Sequence, residues 1–443
     1  MGKFSFYLVT DTHYYDSSFK RSGKAYEERS KTDQKCIAET PAIVDAGFAK
    51  IAADKQTDVI LIPGDLVYRG EYQSHVGFRD RLYKLKEQGK KIYLITARHD
   101  YAEEPCEFDG DKTIPVKGMQ REELRDFYKD FGFDSAVSEH KKSMSYVAQL
   151  ADGIRLLALN CDGDCKDFKG IWDDQMQWAK EQIEDAHKSG NYIFAMTHYP
   201  LLPFSPIMNL IGDSHLTDWE KTAKALADSG VDLIFTGHMH AQSVTDYTTE
   251  NNNTITDVQT ACFVGCPCAY RKVTFEDKNT VSIKSYTIDD FDCDKGGRTA
   301  EEYLKWRFDR MINIKMAEIL PKPVNKMLDK LTLKKVGRLL WLKVDKSVEN
   351  RLAKDLGIEL VRNIFIGNEP YVKETPIYSA MEKALKRLRP VTRVIEKKMC
   401  KKNAVLSDIN SFVLNMIGDD EQRDWDLTLN INKNNYNIAS KGE

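Results

Sequence analysis

The chain has 443 residues, with 65 Lys+Arg against 68 Asp+Glu for a formal net charge of −3, and is 42% hydrophobic and 30% charged. That length exceeds one ordinary core and predicts two domains, while the composition excludes a fibrous, low-complexity or intrinsically disordered chain. No apolar run approaches the roughly 20 residues that a bilayer span requires, so a membrane is not expected as a partner.

The first apolar run, Phe4–Thr10, is short, lacks a small-residue cleavage site and leads straight into polar residues. It predicts a buried strand and not a signal peptide. Further strands are predicted at Val59–Ile62, Ile92–Thr96, Ser145–Leu150, Ile154–Asn160, Tyr192–Thr197 and Leu233–Thr236, all unbroken and rich in β-branched or aromatic residues. Helical patterns lie between them near 33–54, 75–88, 173–188 and 217–229. This alternation predicts a layered α/β fold. Residues 244–287 then read as short strands joined by turns, an antiparallel group that completes a first domain over 1–295.

The turn Cys293-Asp294-Lys295-Gly296-Gly297 marks the expected boundary. Beyond it Leu352, Leu356, Leu360 and Ile364 recur every four residues, as do Ile377, Met381, Leu385 and Leu388, followed by Val391, Ile395 and Met399. These stripes predict a bundle of three to five helices over 296–430, kinked at Pro390, with a frayed tail over 431–443. Charge divides similarly: residues 300–443 carry 28 Lys+Arg against 20 Asp+Glu, which leaves 37 against 48 in residues 1–299. The basic stretch Lys383–Lys402 reads as a solvated helix face, without the aromatic interleaving of a single-strand binder, so nucleic acid is not expected as a partner.

Nine cysteines occur, none in a paired Cys-x-x-Cys zinc spacing. They read as small buried residues of a reducing compartment, which predicts a cytoplasmic protein. Cys161-Asp162-Gly163-Asp164-Cys165 reads as a turn, and the Pro-rich stretch Leu201–His215 as a substrate-facing loop.

Five short segments directly follow predicted strands: Asp11-Thr12-His13, Gly64-Asp65, Arg98-His99-Asp100, Thr197-His198-Tyr199 and Gly237-His238-Met239-His240. The carboxyl ends of strands in an open α/β sheet face the ligand crevice, so all five can converge. Five of the nine histidines fall in these segments; His75, His140, His187 and His215 read as structural. Asp11, His13, Asp65, His198, His238 and His240 are a mixed carboxylate and imidazole set. Such a set suits Mn²⁺, Fe²⁺ or Zn²⁺ better than Mg²⁺ or Ca²⁺, with one or two ions per chain. Two cations about 3.5–4 Å apart polarise a phosphoryl oxygen and acidify a bridging water, whose hydroxide attacks phosphorus in line. His99 is placed to assist the leaving oxygen, with Asp100 as the group expected to fix its tautomer. The implied partner is a small phosphate ester.

In order and spacing these segments resemble the calcineurin-like metallophosphoesterase signature over roughly residues 1–290. The resemblance implies an α/β/β/α sandwich. It implies one metal site of Asp11, His13, Asp65 and His240, a second of Asp65, His198 and His238, and His99 in the position of the family's catalytic His. Gly64-Asp65-Leu66-Val67-Tyr68-Arg69-Gly70-Glu71-x-x-Ser74-His75 further resembles bacterial class III cyclic-nucleotide phosphodiesterase-like members. Some of these carry a C-terminal helical domain, and the resemblance makes a cyclic nucleotide a candidate substrate.

One position departs from that pattern. Where the family has Gly-Asn before its His-Asp, with the Asn a ligand of the second site, this chain has Ala97-Arg98. A guanidinium is always charged and cannot ligate, and it repels a nearby divalent cation by roughly 2–8 kcal/mol at effective dielectrics between water and protein surface. Three outcomes are open: a weak or empty second site, an Arg98 that grips the phosphate, or a fold that has lost turnover and serves as a binding or scaffold protein. The first predicts one firmly held metal and one loosely held.

Overall fold

The computed structural model describes residues 2–162, 169–206, 208, 213–319, 322–368, 376–399, 408, 410–411, 414 and 423–432. In chain order the elements are β1 (Phe4–Leu8), α1 (Gly23–Thr32), α2 (Thr40–Ala53), β2 (Val59–Pro63), α3 (Tyr72–Glu87), β3 (Lys91–Ile95), β4 (Cys106–Asp109), β5 (Lys112–Pro115), α4 (Arg121–Phe127), β6 (Ser138–His140), β7 (Ser145–Ala151), β8 (Ile154–Ala158), α5 (Asp173–Lys188), β9 (Tyr192–Met196), α6 (Trp219–Asp228) and β10 (Leu233–Thr236). They continue with β11 (Ser243–Thr248), β12 (Thr254–Gln259), β13 (Ala269–Phe275), β14 (Thr280–Thr287), α7 (Ala300–Ile319), α8 (Lys322–Leu328), α9 (Leu333–Leu339), α10 (Ala353–Ile366), α11 (Pro376–Met399) and β15 (Leu427–Asn430).

Every apolar run read as a strand is one. Two sheets form, in the orders β15-β14-β13-β1-β2-β3 and β11-β12-β10-β9-β8-β7-β6. Period-two alternation puts Phe6 and Leu8 of β1 into the space between them, where Phe6 stacks on Phe194 of β9 at 5.4 Å and meets Phe235 of β10 edge-on at 5.4 Å. Helices cover the outer faces. Phe48 of α2 and Phe78 of α3 belong to the central core, and Ala179 and Ile183 of α5 pack with Leu157 and Ile193 on the far side of the second sheet. The result is the expected α/β/β/α sandwich followed by helices. Within it, β1, β2 and β3 run parallel, as do β8, β9 and β10, so each trio delivers its carboxyl ends to one edge of its sheet.

Three details differ from the sequence expectation. The pattern near 33–54 is a helix only from Thr40; residues 33–39 form a loop after α1, and Pro41 sits in the first turn of α2, where its missing N–H costs nothing. The strands of 244–287 are not one hairpin group: β11 and β12 join the second sheet, β13 and β14 the first. After the helices, β15 returns to pair with β14, Leu427 opposite Ile283, and closes the first sheet. The stripe on α10 is real, with Leu356, Leu360 and Ile364 buried. Helix α11 runs on through Pro390, whereas the side chains of Val391, Ile395 and Met399, and the tail from residue 433, lie outside the described residues. Among the described residues no helix is long and apolar enough to cross a membrane.

Candidate metal centre

The strand ends turn abruptly. Asp11, His13, Asp65, His238 and His240 all adopt left-handed backbone, with φ between 35° and 68°. For residues with a Cβ such backbone costs on the order of 1–3 kcal/mol each, and it persists where surrounding structure imposes it. Here it bends the chain after β1, β2 and β10 so that both ends of Asp11-x-His13 and of His238-x-His240 enter the same place. Gly64 and Gly237 make room: a Cβ on Gly64 would lie 2.8 Å from the Cβ of Ala97, and one on Gly237 would lie 2.1 Å from Thr10 Oγ1.

The six ligand-type residues do converge. His13 Nε2 lies 3.0 Å from His240 Nε2, and 3.6 Å from both Asp11 Oδ1 and Asp65 Oδ2; His240 Nε2 lies 3.3 Å from Asp11 Oδ1. On the other side His198 Nε2 lies 3.1 Å from the same Asp65 Oδ2, and the His198 and His238 rings are 5.2 Å apart. Asp65 Oδ2 thus stands between two groups of donors. Metal–ligand bonds of about 2.0–2.2 Å at tetrahedral to octahedral angles place donor atoms about 2.8–3.6 Å apart, which is the spacing seen. His198 Nε2 is buried and faces Asp65 Oδ2. Imidazole nitrogens and carboxylate oxygens packed this closely fit a cation.

Hydrogen bonds behind the cluster fix which atoms face inward. His198 Nδ1 donates to the Pro63 carbonyl at 2.8 Å, leaving Nε2 as the ligand atom, and His238 Nε2 donates to the Asp213 carbonyl at 2.8 Å, leaving Nδ1. Asp11 accepts from Thr10 Oγ1 and the His238 amide, and Asp65 Oδ1 accepts from the His99 amide at 3.1 Å, which leaves Oδ2 for cations. Burial acts against charge on both carboxylates, but the surrounding imidazoles hold Asp11 and Asp65 well below the usual range. Burial pushes His13 well below its ordinary value and His238 down to about 4, the neutral form a ligand needs. His198 is raised to about 10: burial, the largest single influence, lowers it, but the Asp65 and Asp11 carboxylates and the Pro63 carbonyl together outweigh burial, and a cation bound at Nε2 would displace this proton.

One expectation about the Arg98-His99-Asp100 turn changes. The Asp100 carboxylate does not orient His99. It is buried and accepts from the amides of Leu66, Val67 and Ala97 at 2.8–3.0 Å, tying the Asp65 turn to the end of β3. The His99 tautomer is set instead by the Tyr68 carbonyl, 3.0 Å from Nδ1. Arg98 neither ligates nor stands free: its Nη1 is 3.4 Å from Asp213 Oδ2, and it shares a side-chain hydrogen bond with Tyr199. Lys169 holds the other Asp213 oxygen at 2.5 Å. Arg98, His99 and His238 are half-buried and form the accessible side of the cluster.

No motif pointed to Lys35, whose ammonium lies 3.3 Å from His99 Nε2, or to Cys262, whose thiol joins His13 and His240 in a ligand-sized group and donates to the Asp11 carbonyl. His75 is structural, as expected: it donates to the Asp100 carbonyl and meets Tyr128 Oη at 2.8 Å. The residues quoted for the phosphodiesterase resemblance act as braces, Tyr68 Oη binding Asp33 and Ser74 Oγ accepting from the Asp16 amide. Of the Leu201–His215 loop, residues 207 and 209–212 lie outside the described residues, as do 163–165 of the Cys161–Cys165 turn.

A sandwich whose parallel strand ends gather Asp and His around a shared carboxylate defines a metal-dependent phosphoesterase-type fold. The profile of the calcineurin-like phosphoesterase family matches residues 4–242, and the chain belongs to that family. No curated protein matches it. Among solved structures it is similar to a dimetal phosphatase from Danio rerio (11% identity, TM-score 0.45, covering 65% of this chain and 97% of that one). It is also similar to a purple acid phosphatase from yellow lupin, Lupinus luteus (12%, 0.44, 65% and 52%), and to an NAD nucleotidase from Haemophilus influenzae (12%, 0.36, 75% and 61%).

Proposed function

We propose that the protein hydrolyses a small phosphate ester, a phosphodiester such as a cyclic nucleotide or a phosphomonoester, with the help of divalent transition-metal ions. The observation that carries this reading is Asp65 Oδ2, which lies 3.6 Å from His13 Nε2 and 3.1 Å from His198 Nε2. One carboxylate oxygen thereby joins a set of Asp11, His13 and His240 to a set of His198 and His238. Mn, Fe or Zn ions held there would polarise a phosphoryl oxygen and acidify water. His99, with Nδ1 committed to Tyr68, keeps its ring at the accessible side, where an ester's leaving oxygen would lie. A helical unit after about residue 295 and a cytoplasmic setting, without membrane or nucleic-acid partners, belong to the same reading.

A second reading rests on Arg98. Its charge occupies the place of the family's amide ligand, and a chain that has lost turnover would serve as a binding or scaffold protein. Assays with bis-p-nitrophenyl phosphate and p-nitrophenyl phosphate across Mn²⁺, Fe²⁺, Zn²⁺ and Mg²⁺ separate the two. Turnover in the parent that collapses in Asp65→Asn and His99→Ala supports the enzyme. An inert parent with an active Arg98→Asn variant supports the scaffold.

A further inference from the structure

The loop between α1 and α2 reaches the site from outside all the motif segments. Cys36 donates its amide to the Val264 carbonyl at 2.9 Å, Gln34 reaches the His240 carbonyl at 3.5 Å, and the Lys35 amide donates to the Asp33 carboxylate at 3.1 Å. From the helical side, Arg307 of α7 places Nη2 within 3.5 Å of the Lys35 carbonyl and 3.3 Å of the Ser30 carbonyl. The Lys35 backbone is therefore held on two sides.

Its side chain is buried, 7% exposed, and the ammonium ends 3.3 Å from His99 Nε2 and 5.4 Å from the centre of the Tyr68 ring. Donor logic fixes the arrangement. A carbonyl only accepts and an ammonium only donates, and His99 lies between one of each. Nδ1 carries the ring proton toward Tyr68, and Nε2 accepts from Lys35. At this corner the group with hydrogens to give is Lys35 and not the imidazole. Among the described residues no carboxylate lies within ion-pair distance of the ammonium; the buried Asp33 carboxylate feels its charge without touching it. A buried cation left without a touching counterion is costly unless an anion completes it.

We infer that Lys35 is a substrate-contacting residue that donates from its ammonium to an oxygen of the bound phosphate group, with His99 as the accepting shelf that orients it. This rests on the phosphoesterase reading above for the nature of the anion. No proton transfer is involved: a fixed cation aimed at a developing negative oxygen stabilises it without rearrangement.

The test is calorimetric titration of inorganic phosphate into the full-length, Mn²⁺-loaded protein, with metal content measured in parallel, for the parent and for Lys35→Met, Lys35→Gln and Lys35→Arg. The expected result is phosphate binding weakened about tenfold or more in the two neutral variants at unchanged metal content, and largely recovered in Lys35→Arg. The Gln variant carries the comparison if the Met variant does not fold. Equal affinity in parent and neutral variants, or loss of metal from them, overturns the assignment. A parent that binds phosphate through Lys35 yet hydrolyses no ester sinks the enzyme reading and keeps Lys35. Turnover with phosphate affinity independent of Lys35 does the reverse.

Discussion

Arg98 forms an ion pair with Asp213 at 3.4 Å, and the backbone carbonyl of the same Asp213 accepts the hydrogen bond that sets the tautomer of His238. A charge that breaks the family's ligand pattern is thus partly neutralised by the residue that aims the neighbouring ligand. The pair is exposed enough for solvent to screen it, so the compensation is incomplete.

That geometry predicts asymmetric metal binding. Purified parent protein, dialysed and analysed for metal, should retain about one tightly held ion per chain, and Arg98→Asn should retain about two, because removing a unit charge lowers the repulsion at the Asp65–His198–His238 set. Two ions surviving dialysis in the parent would show that Asp213 silences Arg98 fully. Asp213→Asn should move retention the other way.

Gly237 offers a steric test. A methyl group there would fall 2.1 Å from Thr10 Oγ1 and 2.5 Å from Asp11 Oδ2, and Asp11 is already pinned by the His238 amide. Gly237→Ala should displace the Asp11 carboxylate, lower metal retention, and cost about 1–3 kcal/mol in chemical denaturation. Normal metal content in this variant would mean that Asp11 has room to move and that its present position matters little.

Much of this was legible in the sequence. Unbroken apolar runs announced the strands, and Asp and His at their ends announced the cluster. What stayed hidden has physical causes. Alternation marks a strand but not its sheet, so β11–β12 and β13–β14 could not be assigned to different sheets. Asp100 binds backbone amides of Leu66, Val67 and Ala97, and every residue but proline carries such a donor, so no residue type betrays the contact. Lys35 is 64 positions from His99, in a loop that an apolar pattern disguised as helix. Pro41, a first-turn residue, was the available signal for the true start of α2.

Glu71 carries a pH dependence of stability away from the metal ligands. Burial raises its carboxyl from an ordinary 4.5 to about 7, although the Arg69 amide donates to it; its other oxygen has no partner. A carboxyl whose pKa is higher when folded stabilises the fold below its unfolded value and loses that contribution as pH rises through the folded one. Stability should therefore fall between about pH 4.5 and 7 by on the order of 3 kcal/mol from this group. Glu71→Gln should flatten that decline: near-neutral at pH 5, and stabilising at pH 8. Denaturant midpoints at the two pH values decide it, and parallel pH profiles for parent and variant would exclude Glu71 as the source.

Arg307 couples the helices to the site. Its guanidinium is 7% exposed and binds Ser30, Glu39, Tyr303 and the Lys35 carbonyl, while Tyr303 Oη donates to the same Glu39 oxygen at 2.5 Å. Arg307→Met leaves Glu39 with a buried charge short of its cation, the Ser30 carbonyl without the guanidinium donor, and the Lys35 carbonyl with only the Ile37 amide. Breaking a buried pair from one side costs about 3–5 kcal/mol, and that is the expected loss in unfolding free energy. Because the lost bonds sit on the loop at 33–39, amide exchange there should accelerate before exchange in β1 or β2 does. Replacing both partners, as Arg307→Met with Glu39→Gln, should cost less than the sum of the single changes, since neither then strands the other. If Arg307→Met unfolds within about 0.5 kcal/mol of the parent, a range typical of surface substitutions, α7 merely rests on this loop and does not hold it.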